Sequence, residues 1–438
     1  MKALLIALAL TQATTGTSLP DLSHPWSLQE CIQWALEHNL SVAQQQNNLS
    51  QSEIDQNTAQ WSWVPNLSAS ASENWSFGRG LGGNNTYERG NSASTSLSLG
   101  SSMPLFDGLA TPARIELARL NLEAATKDLE KVKDDVSVSV AQAYVQILYN
   151  LEILDVAAEQ VAVDSLQVVR LQGMLDNGKA SAAELSQQKA SLAQSRLSQV
   201  QAQNNVRTAL LDMAQLLELP QWEDFRIQRP LLQMQSIPLH SPDQIYADAL
   251  GIRPAIRAEE LRLQGMDQSI RIAKAQQLPS LSLSGGLGSN YYTNFEGQGF
   301  WDQLGNNFSQ YVGLSLNIPI FTRFSARNQV RSARLNRSQQ ELQLQRSKNA
   351  LYKEIVSAWN GAVAAGAKWE SAREAEAAAR DAFELQQAKY ENGKATLTEF
   401  NESRSRLVKA QSDAAQAVCE YLFQSRLVEF YRGVPLQM

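Results

Sequence analysis

The segment Asn177-Gly178-Lys179-Ala180-Ser181 returns later in the chain as Asn392-Gly393-Lys394-Ala395-Thr396, 215 residues further on. Other short motifs recur in the same order at an offset of 214 or 215 residues. They are Pro65-Asn66-Leu67-Ser68 with Pro279-Ser280-Leu281-Ser282, and Pro104-Leu105-Phe106 with Pro319-Ile320-Phe321. A constant offset over several motifs predicts a tandem duplication of a unit of about 200 residues.

The predicted duplication divides the chain into four segments. Residues 1–18 contain one lysine followed by an apolar run, which is the pattern of a secretory signal peptide; a buried N-terminal helix is the alternative. Residues 19–220 form the first repeat and residues 243–438 the second. Residues 221–242 include Pro230, Pro238 and Pro242, and this proline content favours a linker between the repeats.

Each repeat has the same predicted order of elements: a medium helix, two strands and two long helices. We predict the medium helices over residues 28–63 and 243–278. The first long helix is predicted over residues 112–175, because no proline interrupts it and apolar residues recur there every seven positions. The Asn-Gly pair that follows each long helix indicates a turn into a returning helix. The long helices are therefore expected to form coiled-coil hairpins.

Four segments alternate apolar residues with serine, glycine or asparagine, which is typical of a strand with one apolar face. They are residues 64–77, 93–103, 281–292 and 310–318. We predict that residues 78–90 and 294–307 connect them as hairpin loops. The first loop contains Gly78-Arg79-Gly80-Leu81-Gly82-Gly83, formally a dinucleotide-binding pattern, but no helix follows it. An exposed hairpin loop is the better interpretation.

Composition excludes several classes of protein. The 438 residues include 38 Lys+Arg and 44 Asp+Glu, so the net charge is −6 and no nucleic-acid partner is expected. No apolar run approaches the ~20 residues of a spanning helix. The three histidines are far apart, no motif of an enzyme is present, and neither a metal nor a cofactor is expected. Cys31 and Cys419 could pair with each other in an oxidising compartment, and the sequence does not decide whether they do.

The number of strands predicts an oligomer. Four strands with an outer apolar face cannot close a membrane barrel, because about eight strands are the minimum and an open sheet edge cannot lie in lipid. Several chains must therefore combine their strands. Aromatic residues cluster near the strand ends, as in interfacial girdles, with Trp61, Trp63, Trp75 and Phe77 in the first repeat. A soluble sandwich attached to coiled coils is the alternative.

These features resemble the TolC-type outer-membrane efflux protein family. The resemblance is carried by the duplicated helix–strand–strand–helix–helix order, the prolines beside each strand, Pro-Leu-Phe-Asp-Gly at residues 104–108, and the paired Asn-Gly-Lys-Ala turns. It implies a mixed α/β membrane protein: a homotrimer with one 12-stranded outer-membrane β-barrel, four strands per chain, continuous with a long periplasmic α-helical barrel. It also implies a periplasmic adaptor and an inner-membrane pump as partners, and contact with outer-membrane lipid.

The resemblance also implies site residues. The two turns would dock on the adaptor, and their residues are Gly178, Lys179, Ala180, Ser181, Gly393, Lys394, Ala395 and Thr396. A periplasmic gate would use Glu399 and Glu402, which lie six and nine residues after Gly393 as the family's acidic positions do. Glu184 lies six residues after Gly178, and Tyr390 would bind it as a latch. Ala395 replaces the family's basic latch residue, for which Lys394 or Lys179 would have to substitute.

The expected function is a passive exit duct in the outer membrane, reaching into the periplasm, for a tripartite efflux or type I secretion system. The alternative is a periplasmic coiled-coil adaptor or structural rod. An adaptor would show one helical hairpin between other domains rather than two full repeats. The sequence does not distinguish drugs, metal ions and proteins as cargo.

Overall fold

The computed structural model describes residues 24–81, 86–230, 240–293 and 298–437. The predicted signal peptide and the middle of the linker lie outside these residues. The helices are α1 (Leu28–His38), α2 (Leu40–Gln60), α3 (Ala110–Asp176), α4 (Ala182–Leu216), α5 (Pro242–Ile252), α6 (Pro254–Ala275), α7 (Phe300–Asn306), α8 (Ser325–Glu391) and α9 (Leu397–Tyr431). The strands are β1 (Asn66–Leu81), β2 (Tyr87–Phe106), β3 (Ser280–Tyr292) and β4 (Ser309–Asn317).

The predicted medium helices are each interrupted near their start, so the prediction of one continuous helix was wrong in both repeats. Asn39 separates α1 from α2: its side-chain amide donates to the Leu216 carbonyl at 2.9 Å, and its side-chain oxygen accepts from the Ser41 amide at 2.9 Å. Arg253 separates α5 from α6 in an extended conformation. Pro254 explains this break, because proline disfavours a helical conformation in the residue before it.

The long helices match between the two halves of the chain. Helices α3 and α8 have 67 residues each, and α4 and α9 have 35 each. Both pairs begin 215 residues apart, the offset of the sequence motifs. At ~1.5 Å per residue, a helix of 67 residues spans about 100 Å.

The four strands form one antiparallel sheet in the order β1-β2-β3-β4. Its register aligns the apolar residues: Ala69 is opposite Leu99, Leu99 is opposite Leu287, and Leu283 is opposite Leu314. Directly paired residues lie on the same face of a sheet, so leucines from all four strands share one face. Serine and glycine occupy the other face, where Ser70 is opposite Ser98 and Ser284 is opposite Gly313. We call the face that carries the leucines the apolar face.

The hairpin connections are more ordered than predicted. Strand pairing continues to Leu81 opposite Tyr87, so residues 78–81 and 87–90 belong to strands and not to the predicted loop. Gly82 and Gly83 lie outside the described residues. In the second connection, α7 lies within the predicted loop 294–307. The Gln303 side chain makes two hydrogen bonds to the backbone of Tyr292: its oxygen accepts from the Tyr292 amide at 2.9 Å, and its own amide donates to the Tyr292 carbonyl at 3.0 Å.

Two compact units divide the chain, and neither corresponds to one repeat. One unit comprises Met1–Ala43, Lys133–Tyr246 and Glu354–Met438; the other comprises Gln44–Val132 and Ala247–Lys353. The sheet lies in the second unit and both Asn-Gly turns lie in the first. Each unit therefore contains parts of both halves. In the part of the chain that the structure describes, no helix is long and apolar enough to span a membrane.

Candidate functional site

The two Asn-Gly turns have the same backbone geometry. Gly178 has φ 72° and Gly393 has φ 71°, the left-handed conformation that favours glycine. The amide of Lys179 donates to the Met174 carbonyl at 2.7 Å, and that of Lys394 donates to the Lys389 carbonyl at 2.8 Å. This hydrogen bond closes a Schellman motif at a helix end. The preceding asparagine adds another, since the Asn177 and Asn392 side chains each donate to a carbonyl four residues earlier at 2.7 Å.

Helices α4 and α9 both begin with a capping box. The Glu184 amide donates to the Ser181 hydroxyl at 3.1 Å, and the Glu184 carboxylate accepts from the Ser181 amide at 2.8 Å. Thr396 and Glu399 repeat the arrangement at 3.2 Å and 2.8 Å. Two backbone donors at each helix start are thus satisfied. The backbone hydrogen bond lowers the pKa of both glutamates, with the side-chain hydroxyl as the second cause.

A shared apolar core joins the two hairpin ends. It consists of Leu171 from α3, Leu185 from α4, and Leu397 and Phe400 from α9. Tyr390 stacks on the Phe400 ring, with 5.0 Å between the centroids. The two turns are therefore held beside each other within one chain.

Tyr390 makes different contacts from those of the predicted latch. The Arg170 guanidinium lies 5.9 Å from the centroid of the Tyr390 ring, and Arg170 also pairs with the Glu391 carboxylate at 3.4 Å. Burial raises the Tyr390 pKa, Arg170 lowers it, and the nearby Glu184 charge raises it further. Among the described residues, no hydrogen bond joins Tyr390 to Glu184, whose carboxylate caps α4. Arg170 provides the basic contact to the second hairpin, whereas Lys179 and Lys394 are exposed.

The predicted gate residues Glu399 and Glu402 lie on the exposed surface of α9. The Glu402 carboxylate pairs with Arg406, one turn further along, at 2.6 Å. Both acids thus have partners on their own helix, and their side chains remain accessible to solvent.

Deeper in the helices, an ion pair joins the two halves of the chain. Asp164 of α3 binds Arg404 of α9, and the exposed fractions of their side chains are 0% and 6%. The Asp164 carboxylate also accepts from Gln188 at 2.7 Å, from Gln160 at 3.1 Å and from the Ser195 hydroxyl. A buried carboxylate needs such partners, because leaving its charge unpaired there would cost several kcal/mol.

This ion pair was not predicted from the sequence, although a signal was present. Arg404 lies between Phe400 and Leu407 at the spacing of core positions in a coiled coil, and Asp164 lies three residues after Val161 in a heptad row. A charged residue at a core position is the pattern that identifies a buried polar contact.

The described residues contain no group of three or more His, Cys, Asp or Glu side chains that could hold a metal ion. Cys31 and Cys419 are both free and buried. Burial raises the pKa of the Cys31 thiol to about 12 and that of the Cys419 thiol to about 11.

Comparison with known proteins gives two relatives by sequence. The chain is 24% identical over 314 residues to the outer membrane efflux protein BepC of Brucella suis, covering 72% of this chain and 66% of BepC. It is 27% identical over 271 residues to the protein CyaE of Bordetella pertussis, covering 61% of this chain and 55% of CyaE. Both alignments span less than two thirds of the relative's length.

Solved structures share the fold at low sequence identity. The outer membrane protein VceC of Vibrio cholerae matches with a TM-score of 0.75 at 20% identity, covering 93% of this chain and 96% of VceC. The CmeC outer membrane channel of Campylobacter jejuni matches with a TM-score of 0.79 at 19% identity, covering 94% of this chain and 86% of CmeC. The profile of the family described as outer membrane efflux protein matches residues 31–218 and 245–426. The chain belongs to this outer-membrane family.

Proposed function

We propose that the chain is one subunit of a passive outer-membrane exit duct for a tripartite efflux or type I secretion system. The observation that carries this proposal is the sheet: its register places leucines from all four strands on one face and serine and glycine on the other. In a membrane barrel, lipid would contact the leucine face and water would contact the face of serine and glycine. A periplasmic adaptor or a structural rod would use the long helices but has no need for such a sheet.

The proposed assembly is a homotrimer. Strands β1 and β4 are the edges of the sheet in one chain, and an open edge cannot lie in lipid. Pairing these edges between three chains would give twelve strands, enough for a closed barrel. The division into repeats at residues 19–220 and 243–438, joined by residues 221–242, belongs to the same proposal. The mass of the purified protein in detergent should correspond to three chains.

Labelling on intact cells tests the orientation. Cysteines at Gly90 and Gly299, near the proposed outer ends of the strands, should react with a polyethylene glycol maleimide too large to cross the outer membrane. A cysteine at Lys179 should react only after the membrane is permeabilised. The native cysteines give little background because they are buried. Labelling of the Lys179 site alone on intact cells would show that the orientation is inverted.

The proposed gate consists of Glu399 and Glu402 at the periplasmic mouth. A trimer would present two rings of three carboxylates, and rings of negative charge favour cations. Arg406 pairs with Glu402 and should weaken this field. Tyr390, stacked on Phe400, and Glu184, at the start of α4, would position the mouth through the shared core.

Single-channel recording in planar bilayers tests the gate. Glutamine also serves as the third residue of a capping box, so Glu399→Gln with Glu402→Gln removes charge while keeping the helix start. The double variant should lose cation selectivity and block by divalent ions, whereas Arg406→Gln should increase both. Unchanged selectivity in the double variant would place these residues away from the constriction.

The exposed turns are the proposed docking surface for a periplasmic adaptor. They comprise Gly178 to Ser181 and Gly393 to Thr396, and an added Cβ at either glycine meets no atom within 4 Å. Gly178→Trp with Gly393→Trp should abolish cross-linking to the adaptor and export while the trimer persists. Asparagine at both positions is the control, because it tolerates the left-handed conformation and is small. Normal export by the tryptophan variant would exclude docking through the turns.

A further inference from the structure

A stripe of exposed arginines marks the start of α8. Arg327, Arg331 and Arg334 follow one another at intervals of four and three residues, which places them on one side of the helix, and Arg323 lies two residues before the helix begins. We call these four residues the arginine stripe. Within the described ranges, none of their side chains forms an ion pair or a hydrogen bond in the chain. Arg337, on the next turn, pairs with Asp267 at 2.7 Å.

The excess of positive charge is specific to the second half. Residues 325–353 of α8 contain seven basic residues and one acidic residue, whereas the corresponding residues 110–138 of α3 contain five basic and six acidic residues. In α3, Arg114 pairs with Asp107 at 3.5 Å, and Arg119 pairs with Glu116 at 2.6 Å and also with Glu123. The exposed charges of the arginine stripe are therefore available to a negative partner from outside the chain.

The backbone at Arg323 supports a role for its side chain. Arg323 has φ 49°, a left-handed conformation that costs free energy for any residue with a Cβ. The equivalent residue in the first half is Gly108, with φ 69°, where an added Cβ would lie 2.7 Å from the Ala275 carbonyl oxygen. Glycine thus occupies this conformation in one half, and a strained arginine occupies it in the other. Strained residues cluster at functional sites, and this favours a function for the Arg323 side chain.

The arginine stripe follows β4, an edge strand of the sheet, directly along the chain. The apolar face includes Leu314 and Leu316 of β4, and exposed apolar residues continue beyond the strand at Ile318, Ile320, Phe321 and Phe324. The exposed fraction of Ile320 reaches 94%. Apolar residues that give way to aromatic residues and then to arginine are typical of a membrane–water boundary.

We propose that the arginine stripe binds the phosphate head groups of anionic phospholipids in the periplasmic leaflet of the outer membrane. The inference rests on the proposed orientation of the sheet. Arginine binds phosphate in a bidentate geometry. The stripe from Arg327 to Arg334 spans about 10 Å along the helix. That length slightly exceeds the screening length of about 8 Å at physiological salt, so the field of the charged surface should act most strongly on Arg323 and Arg327 and least on Arg334.

Electron paramagnetic resonance of spin-labelled lipids tests this proposal in proteoliposomes of phosphatidylcholine. The motionally restricted fraction is compared for labelled phosphatidylglycerol and labelled phosphatidylcholine. The wild-type protein should prefer phosphatidylglycerol by at least about fivefold, the factor expected from one basic residue near an anionic surface. The preference should fall as salt is added. Replacing all four stripe arginines by glutamine should bring it close to one.

Two further variants separate binding from structure. The control, Lys189→Gln, Arg196→Gln, Arg207→Gln and Lys409→Gln, removes four exposed charges elsewhere and should keep the preference. Arg323→Gly should relieve the backbone strain, so the protein should unfold at the same or a higher temperature, yet its preference should fall.

The outcomes distinguish the possible failures. Restricted phosphatidylcholine without a preference for phosphatidylglycerol would overturn the lipid site and leave the duct intact. No restricted lipid of either kind would overturn the orientation of the sheet and the lipid site together. An altered ion selectivity in planar bilayers, with lipid preference unchanged in the glutamine variant, would mean that the arginines face the lumen and would also overturn the lipid site.

Discussion

In the first half of the chain, Arg114 and Arg119 at the start of α3 pair with carboxylates close to them in sequence; in the second half, the arginine stripe at the start of α8 has no such partners. The helices themselves have equal lengths, and their Asn-Gly turns have φ values within one degree. The halves therefore share a backbone but differ in how their charges are used. This difference shows that backbone geometry and charge placement changed independently.

The buried ion pair is a second case in which the halves share a backbone but differ in their charges. Asp164 belongs to the first half and Arg404 to the second, and the residues at the equivalent positions are Ala379 and Lys189. The ion pair therefore joins the first half to the second once, and the equivalent positions do not repeat it. Identical repeats would carry the same acid–base pair twice, at residues 164 and 404 and at residues 379 and 189. Four predictions test where the halves are equivalent and where they are not.

The largest effect is expected at the ion pair. Arg404→Gln should leave the Asp164 charge unpaired and cost about 3–5 kcal/mol, because a lone buried charge is strongly destabilising. Asp164→Asn should cost a similar amount. The double variant should cost less than the sum of the two, since it leaves neutral groups. Hydrogen–deuterium exchange of peptides around residues 164 and 404 measures the free energy of local opening, and additive losses would exclude direct coupling.

The turns should respond equally in both halves. Alanine at Gly178 or at Gly393 should destabilise its turn by about 1–2 kcal/mol, because the left-handed conformation is unfavourable for a residue with a Cβ. Neither substitution creates a clash, since an added Cβ meets no atom within 4 Å. Exchange rates of residues 172–182 and 387–397 would measure the effect. A large difference between the two variants would show that the hairpins are not equivalent.

The capping boxes should give a smaller and matched effect. Ser181→Ala and Thr396→Ala each remove a hydroxyl that accepts from the third helical amide, at a cost of about 1 kcal/mol. Exchange in the first turns of α4 and α9 would measure it. The control is Thr396→Ser, which should preserve the cap. If the alanine variants exchange as slowly as wild type, these hydroxyls do not stabilise the helix starts.

The smallest effect concerns pH. The folded-state pKa values of Glu184 and Glu399 are lowered from 4.5 by their capping hydrogen bonds. A lowered pKa stabilises the fold above the unfolded value, and this contribution is lost as pH falls through the folded value. Between pH 6 and pH 3, Tm should therefore fall more for wild type than for Glu184→Gln with Glu399→Gln. Parallel curves would exclude the two carboxylates as a source of acid sensitivity.

Local patterns were enough to predict much of the fold. Alternation predicted the four strands, because a residue's face in a strand depends only on its position in sequence. The Asn-Gly pairs predicted the ends of α3 and α8, since glycine at that position stops a helix. Pro254 should also have predicted the break before α6, whereas the break at Asn39 depends on the distant Leu216 carbonyl and has no local signal.

The candidate site was less accessible from the sequence. The role of Glu184 and Glu399 at a gate stays a prediction. The structure adds that both glutamates cap their helices, which a Ser/Thr-x-x-Glu pattern could have indicated. The contact of Arg170 with Tyr390 and Glu391 depends on how two hairpins pack, and no periodicity within one helix specifies it.

The two buried thiols have a consequence for the route that the chain takes to its membrane. Cys31 and Cys419 lie almost at opposite ends of the chain, and in the folded protein both are free and buried, with pKa values raised by burial. An oxidising compartment can therefore trap only the molecule that has not yet folded, as a loop closed by a non-native disulfide. Folding therefore competes with oxidation of the two thiols. A thiol reagent added during export would label only chains in which Cys31 and Cys419 are not yet buried, and the loss of labelling with time would give the rate of folding.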